Sequence, residues 1–306
     1  MPVKNVLIAT EEKFNSFYYK KKLQQFNDLI IKAMLIEVGC TPKPGLVDRY
    51  NSGSHHDMNH YTFVKSTYSL EATFKKCIFA GFKHDKELAN LFSKLKKIGL
   101  EGEKEMYQAT GGINTQKGLI FSMTIIAAAG GYAVKRDLQL TAENLSILIK
   151  KITKGLVARN FSDIRKKCES NLTAGEKAFI EYKITGIRGE VEAGFPAVLN
   201  ISLPVLNKFI QKGFSFNDSL LASLLALMSQ LKDTTIIARG GIDSLNWMHN
   251  YAAEIYKVYI STESEARADL LKKMNRIFVD KNLSPGGCAD LLAVTALFYL
   301  LEKQSC

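Results

Sequence analysis

Leu220-Leu-Ala-Ser-Leu-Leu-Ala-Leu-Met-Ser-Gln-Leu231 is the stretch whose reading decides the fold. Leu220, Leu221, Leu224, Leu225, Met228 and Leu231 recur at the three- and four-residue spacing of one helix face. Leu88, Leu91, Phe92, Leu95 and Ile98 do the same upstream, and nearly every other apolar stretch follows, whereas strand-like alternation is hard to find. Thr141-Ala-Glu-Asn reads as a capped helix start, and Asp243 or Ser244 as the cap of a helix carrying Trp247 and Tyr251. The expectation is an all-α chain, a single compact domain of about ten helices joined by short polar loops. It spans 23–306, with 1–22 as a loosely attached N-terminal arm in which Glu11-Glu12-Lys13 and Lys20-Lys21-Lys22 cluster. The absence of strand–helix alternation, and of G-x-x-x-x-G-K-[ST] or G-x-G-x-x-G, excludes P-loop and Rossmann folds.

At 306 residues the chain buries a sizeable core, and no Pro/Ser-rich spacer or fixed repeat divides it. The longest apolar runs, Phe121 to Val134 and Leu220 to Leu231, fall short of the roughly 20 residues that cross a bilayer, so a soluble protein with no membrane partner is expected. The N-terminus lacks the order of a secretory signal, and the five cysteines have no metal-type spacing. Reduced thiols and a cytoplasmic location follow, with Cys77 and Cys288 as packing residues. The net charge of +11 calls for anionic company. Lys94-Leu-Lys-Lys97, Arg165-Lys-Lys167 and Lys272-Lys273 are scattered without interleaved aromatics, which speaks against nucleic acid and for a small polyphosphate ligand.

Six polar segments interrupt the helical pattern. Glu37-Val-Gly-Cys-Thr-Pro-Lys-Pro-Gly-Leu-Val-Asp-Arg-Tyr-Asn-Ser-Gly-Ser-His-His-Asp57 joins turn formers to charges: Lys43, Asp48, Arg49, His55, His56 and Asp57 offer metal ligands, proton carriers and anion partners. Gly111-Gly112, Gly240-Gly241 and Gly286-Gly287 precede apolar helical runs, where free amides at a helix N-terminus make an anion site. Asn114 or Thr115 would cap the helix after the first pair, with Lys117 in its first turn. In Gly186-Ile-Arg-Gly-Glu-Val-Glu-Ala-Gly-Phe-Pro196, Arg188 and Glu192 can pair along a helix, or Glu190 and Glu192 can converge on a cation if the backbone is irregular. Gln230 to Gly241 brings Asp233 and the planar fork of Arg239. Asn282-Leu-Ser-Pro-Gly-Gly-Cys-Ala-Asp290 puts Asp290 in a first helical turn, where a dipole or capping role is the leading reading.

Together these segments resemble the triphosphoribosyl-dephospho-coenzyme A synthase family, which makes the prosthetic-group precursor of citrate lyase and malonate decarboxylase. The motifs run in order from Glu37 to about Leu300: E-V-x-x-T-P-K-P-G-L-V-D, N-x-G-S-H-x-D-M, A-T-G-G-x-N-T-x-K-G, R-G-E-x-E-x-G-F-P, D-T-x-x-x-x-R-G-G and N-L-S-P-G-G-x-A-D-L-L-A-V-T. The resemblance implies an all-α pentosyltransferase. ATP would give its triphosphoribosyl group to the 2′-hydroxyl of 3′-dephospho-coenzyme A with release of adenine. It implies Mg²⁺ on the triphosphate, held by two or three of Asp57, Glu190, Glu192 and Asp233, with another of these acids as base and Asp57, Glu190 and Asp233 as the catalytic candidates. Lys43, His55, Asn114, Lys117, Arg188 and Arg239 would bind the phosphates, helped by the amides of Gly111, Gly112, Gly286 and Gly287. A downstream holo-carrier-protein synthase and a homodimer are the further partners implied. A transferase or N-glycosidase with another acceptor, and a non-catalytic ATP-binding regulator, are the alternatives. Asn59 stands where the pattern has a second acid, and Gln116 and Ala238 where it often has histidines, so an acid and two imidazoles are missing.

Overall fold

A computed structural model describes residues 3–164 and 172–305, and every regular element in them is helical. In chain order the helices are α1 (Val3–Gly39), α2 (His60–Ser69), α3 (Glu71–Phe82), α4 (Leu91–Thr110), α5 (Lys117–Lys135), α6 (Ala142–Thr153) and α7 (Leu156–Ile164). They continue as α8 (Ala174–Tyr182), α9 (Gly186–Glu192), α10 (Leu203–Gln211), α11 (Phe216–Met228), α12 (Thr234–Ser261), α13 (Ser264–Asp280) and α14 (Gly286–Ser305). The all-α expectation holds. The helices beyond the expected ten are short ones, such as the seven-residue α9 and nine-residue α7 and α8, which span too few turns to display a period. The segment expected as an arm is continuous with α1, a single 37-residue helix.

Where the sequence signals are local, the elements follow them. Thr141 accepts a hydrogen bond from the Asn144 amide at 3.2 Å and caps α6. The start anticipated at Asp243 or Ser244 is the second half of α12, which breaks at Gly241 (φ 73°, ψ −174°), a conformation open almost only to glycine. Cys77 and Cys288 are fully buried, as expected of packing residues, and burial pushes the Cys77 thiol up to about 12.

Helix α5 is the axis of the fold. It packs against α1, α3, α4, α6 and α14, and its side chains from Leu119 to Val134 are almost all buried. By length and composition it could cross a membrane, but 78% of its apolar window is already covered by the neighbouring helices. The closest approach is with α3, where the two run antiparallel: a β-carbon at Gly81 would strike the Ala128 carbonyl, and one at Gly131 the Ile78 carbonyl. Overpacking of this kind costs about 1–3 kcal/mol. Gly81→Ala should therefore lower the thermal midpoint by several degrees, whereas Gly175→Ala, with open space around it, should not.

Candidate functional site

The polar loop between α1 and α2 is folded back on the ends of α13 and α14. Asn217 holds the Thr41 backbone on both sides, accepting from the amide at 3.0 Å and donating to the carbonyl at 2.8 Å. Asp48 is buried and accepts from the amides of Lys43 (2.9 Å), Tyr50 (2.8 Å) and Asn51 (3.0 Å), so it shapes the loop and has no capacity left for a metal. Gly45 turns the chain at φ 72°, with its would-be β-carbon against the Leu283 carbonyl, and Ser54 donates to that same carbonyl at 2.7 Å. Arg239 closes the seam. Its Nη1 donates to the Ser54 carbonyl (3.0 Å) and to the carbonyl and side-chain oxygens of Asn282 (3.2 and 2.9 Å).

This folding leaves a cavity of about 230 Å³ between the loop, the N-terminus of α5, the first turn of α12 and the first turn of α14. Its wall carries Lys43, His55, Asn114, Lys117, Arg239 and Gly286 from the expected binding set, together with Glu37, Gln116, Thr235, Ser284 and Asp290. Lys43 is buried to 1% exposure and donates to both the carbonyl (2.8 Å) and the carboxylate of Glu37 in a short ion pair. Two of its three ammonium protons are thus committed to Glu37. Burial pushes the Glu37 carboxyl up and the Lys43 charge pulls it back, the net direction being up. His55 lies against Ser284 Oγ (2.9 Å) and Arg239 Nη2 (3.4 Å); burial, and then the guanidinium, lower its pKa, which keeps the ring neutral near pH 7. Lys117, at the start of α5, pairs with Glu103 at 3.0 Å, and Asn114 accepts from its amide at 3.3 Å.

The remaining expected site residues lie elsewhere. Asp233 is buried behind the cavity wall, where its Oδ1 accepts from the Thr235 amide (2.8 Å) and hydroxyl (2.6 Å) and its Oδ2 from the Cys288 amide (2.9 Å). It caps α12 and ties down the first turn of α14. Glu192 accepts from the amides of Gly155 (2.6 Å) and Val157 (2.8 Å) at the start of α7, Glu190 from the Ala197 amide (3.1 Å), and Arg188 reaches Glu176 at 3.8 Å. Burial raises the Glu190 carboxyl and its amide partner lowers it, the net being up. None of these four lines the cavity. Asp57 does not line the cavity; it is 60% exposed, 3.9 Å from the ring of His55, which does. The four acids therefore do not converge, and no group of three His, Cys, Asp or Glu side chains among the described residues is placed to cage a metal ion.

The glycine pairs also divide by role. Gly111, at φ 70°, ends α4, and the Gly112 amide returns to the Tyr107 carbonyl at 2.7 Å, so this pair closes a helix C-terminus and offers no amide cradle to an anion. Gly240-Gly241 breaks α12. Only Gly286-Gly287 opens a helix, and there the Gly286 amide is taken by Thr235 Oγ1 at 2.9 Å. Of the departures from the family pattern, Asn59 keeps a structural use: it forms a capping box with Thr62 at the start of α2. Ala238 is exposed on α12.

The sequence leaves Glu37 and Gln116 outside the site and points Asp290 toward a dipole or capping role, yet all three line the cavity. The Asp290 carboxylate lies against the Cα of Gly118 in the first turn of α5. No hydrogen bond or ion pair engages it among the described residues, and desolvation, with Glu37 and Asp233 nearby, holds its pKa well above the carboxylate range. The signal was an acid set directly before the apolar run Leu291-Leu-Ala-Val294. A raised folded pKa means that the native state binds a proton that the unfolded chain has released, so stability falls as pH rises above the ordinary value of 3.8. Asp290→Asn should therefore be more stable than the parent at pH 7 to 8 in urea titrations, and the difference should fade toward pH 4.

The family model for CitG, ATP:dephospho-CoA triphosphoribosyl transferase, matches residues 23–306. A probable 2-(5''-triphosphoribosyl)-3'-dephosphocoenzyme-A synthase of Lactiplantibacillus plantarum is 38% identical over 267 residues, covering 87% of this chain and 92% of the relative. The synthase of Pectobacterium atrosepticum is 36% identical over 278 residues, 90% and 89% of the two chains, and a probable synthase of Photobacterium profundum is 35% identical over 98% and 97%. No solved structure matches the chain. Six motifs in order, an all-helical fold and this extent of identity lead to one assignment: the chain belongs to the CitG family of ATP:dephospho-CoA triphosphoribosyl transferases.

Proposed function

We propose that the cavity between the α1–α2 loop and the first turns of α5, α12 and α14 is where ATP and 3′-dephospho-coenzyme A react, making the precursor of a carrier-protein prosthetic group. The observation that carries this reading is the meeting of Lys43, Lys117, Arg239 and a half-buried acid, Asp290, on one cavity wall drawn from four separated motifs. About 230 Å³ holds part of a nucleotide, and the remainder extends past Lys117 and Arg239 at the rim. Exposed cations there suit phosphates, and Arg239 adds a planar fork. Breaking the bond between ribose C1′ and adenine builds positive charge on the sugar while electrons move onto the base, so a nearby carboxylate and a proton donor both lower the barrier.

Magnesium fits this reading as a companion of the triphosphate, because the ion usually binds through phosphates, waters and one or two carboxylates. Of the four expected carboxylates, Asp57, beside the cavity-lining His55, is the one that no backbone amide engages among the described residues. The test is to incubate the protein with ATP, Mg²⁺ and 3′-dephospho-coenzyme A and follow adenine and the conjugate by mass spectrometry. Conjugate plus adenine supports the reading. Adenine alone points to an N-glycosidase, and unchanged substrates count against both. Coenzyme A is the control, since its 3′-phosphate crowds the neighbouring 2′-hydroxyl.

A further inference from the structure

We propose that the closed end of this cavity is the adenine pocket, in which Asp290 protonates the departing base and the Gln116 amide holds its exocyclic edge. The inference rests on the cavity being the reaction site, as above, and adds what its inner residues recognise. Gln116 supplies the first observation. It is only 3% exposed and lines the cavity, and its Nε2 donates to Thr67 Oγ1 at 3.2 Å while its Oε1 has no partner. Whichever way the amide is turned, one heteroatom is left unanswered in a buried position, and a buried polar group without a partner is rare in a native fold. An amide is well matched to adenine, which presents an amino donor beside a ring-nitrogen acceptor.

Size and lining agree. At about 30 Å³ per water the cavity has room for about eight, on the order of one purine ring system and far from a whole nucleotide. Leu46, Met58, Phe63 and Leu119 give it apolar walls, while Lys117 and Arg239 face the opening. A flat base between apolar walls, with a few convergent polar groups at its edge, is the usual build of a small-ligand pocket.

Asp290 supplies the second observation. Its carboxyl shares the cavity wall with Gln116 at the first turn of α5, and no protein donor occupies it. The charged and titratable groups around it are Glu37 from α1 with its partner Lys43, Lys117 from α5, Asp233 and Arg239 from α12, and His55 from the loop. Burial and the two neighbouring carboxylates favour its protonated form, so a proton is available to give. In the step, the C1′–N9 bond breaks and its electron pair passes to the adenine ring, which takes the Asp290 proton at a ring nitrogen. The C1′–O2′ bond to the acceptor forms, and the proton lost from that hydroxyl balances the one that solvent returns to Asp290.

The test uses the whole protein and modified nucleotides. Asp290→Asn should bind ATP with little change by calorimetry yet release adenine about 10²–10⁴-fold more slowly, the usual contribution of a positioned acid. The parent's rate should fall at high pH as this proton is lost, and Asp290→Asn should lack that fall. 7-Deaza-ATP, which lacks N7, separates the ring nitrogens: slowing of the parent far beyond that of Asp290→Asn supports protonation by Asp290 at N7, and equal slowing of both excludes N7 as the atom that Asp290 protonates. Gln116→Ala should weaken binding of free adenine by calorimetry and lose the preference for ATP over purine riboside triphosphate, which lacks the amino group. If ATP binds the parent and adenine is released equally fast by Asp290→Asn, the inference is wrong while the site stands. If neither ATP nor adenine binds the parent, or if their binding survives bulky substitution at Leu119, the site itself is misplaced.

Discussion

Lys43→Met is expected to destabilise the protein by about 3–5 kcal/mol, because it strands the Glu37 carboxyl in a buried site without its cation. Both side chains are almost wholly out of solvent, at 1% and 5% exposure, so little screening softens the loss. The variant should have a distinctive pH dependence. Without Lys43 nothing opposes burial, the folded pKa of Glu37 rises further above its unfolded value, and the native state takes up a proton that the unfolded chain lacks. Its stability should therefore fall as pH rises, so urea midpoints measured at pH 5 and pH 8 should differ more than in the parent. Glu37→Gln combined with Lys43→Met removes both charges and should recover a substantial part of the loss, as paired replacement of buried ions often does. Equal destabilisation of the single and double variants would show that packing of the lysine stem, and not the ion pair, dominates.

Asp233→Ala should cost roughly 2–4 kcal/mol, from a lost helix cap and a stranded buried amide. One carboxylate serves the start of α12 through Thr235 and the start of α14 through Cys288, the latter 55 residues from Asp233 in sequence. Losing it releases both first turns at once, and both carry cavity residues, so activity and stability should decline together. Asp233→Asn separates the contributions: its side-chain oxygen can still cap α12, but its amide nitrogen cannot accept from Cys288. Full activity loss in Asp233→Asn with an unchanged melting temperature would instead make Asp233 a metal ligand or base.

These two residues also mark how far the sequence could be read. Long helices declare themselves through spacing, and α4, α6 and α11 follow the periods and caps visible in the chain. The loop from Glu37 to Asp57 is legible as a site wall because no apolar period competes with its turn formers and charges. The destination of a carboxylate is not legible in this way. Asp233, Glu190 and Glu192 lie in the same kind of acid-and-glycine motif as a metal ligand would, and their partners are amides 55, 7 and 37 residues away. Asp290 is the converse case: its neighbours along the chain suggest a helix cap, and only the crossing of α14 with the first turn of α5 leaves it facing a cavity without a donor. Glycine pairs are similarly degenerate, since the same dipeptide ends α4, breaks α12 and begins α14.

The break at Gly241 has a consequence for how the sequence can change over generations. In an unbroken helix, inserting one residue turns everything beyond it by about 100° and misplaces both ends relative to each other. Here the first half of α12 delivers Thr235 and Arg239 to the cavity, while the second half stacks Trp247 on Tyr251 and packs it against Phe278 of α13. The glycine uncouples the two registers, so the second half can drift in length and composition while the cavity-facing half keeps its own phase.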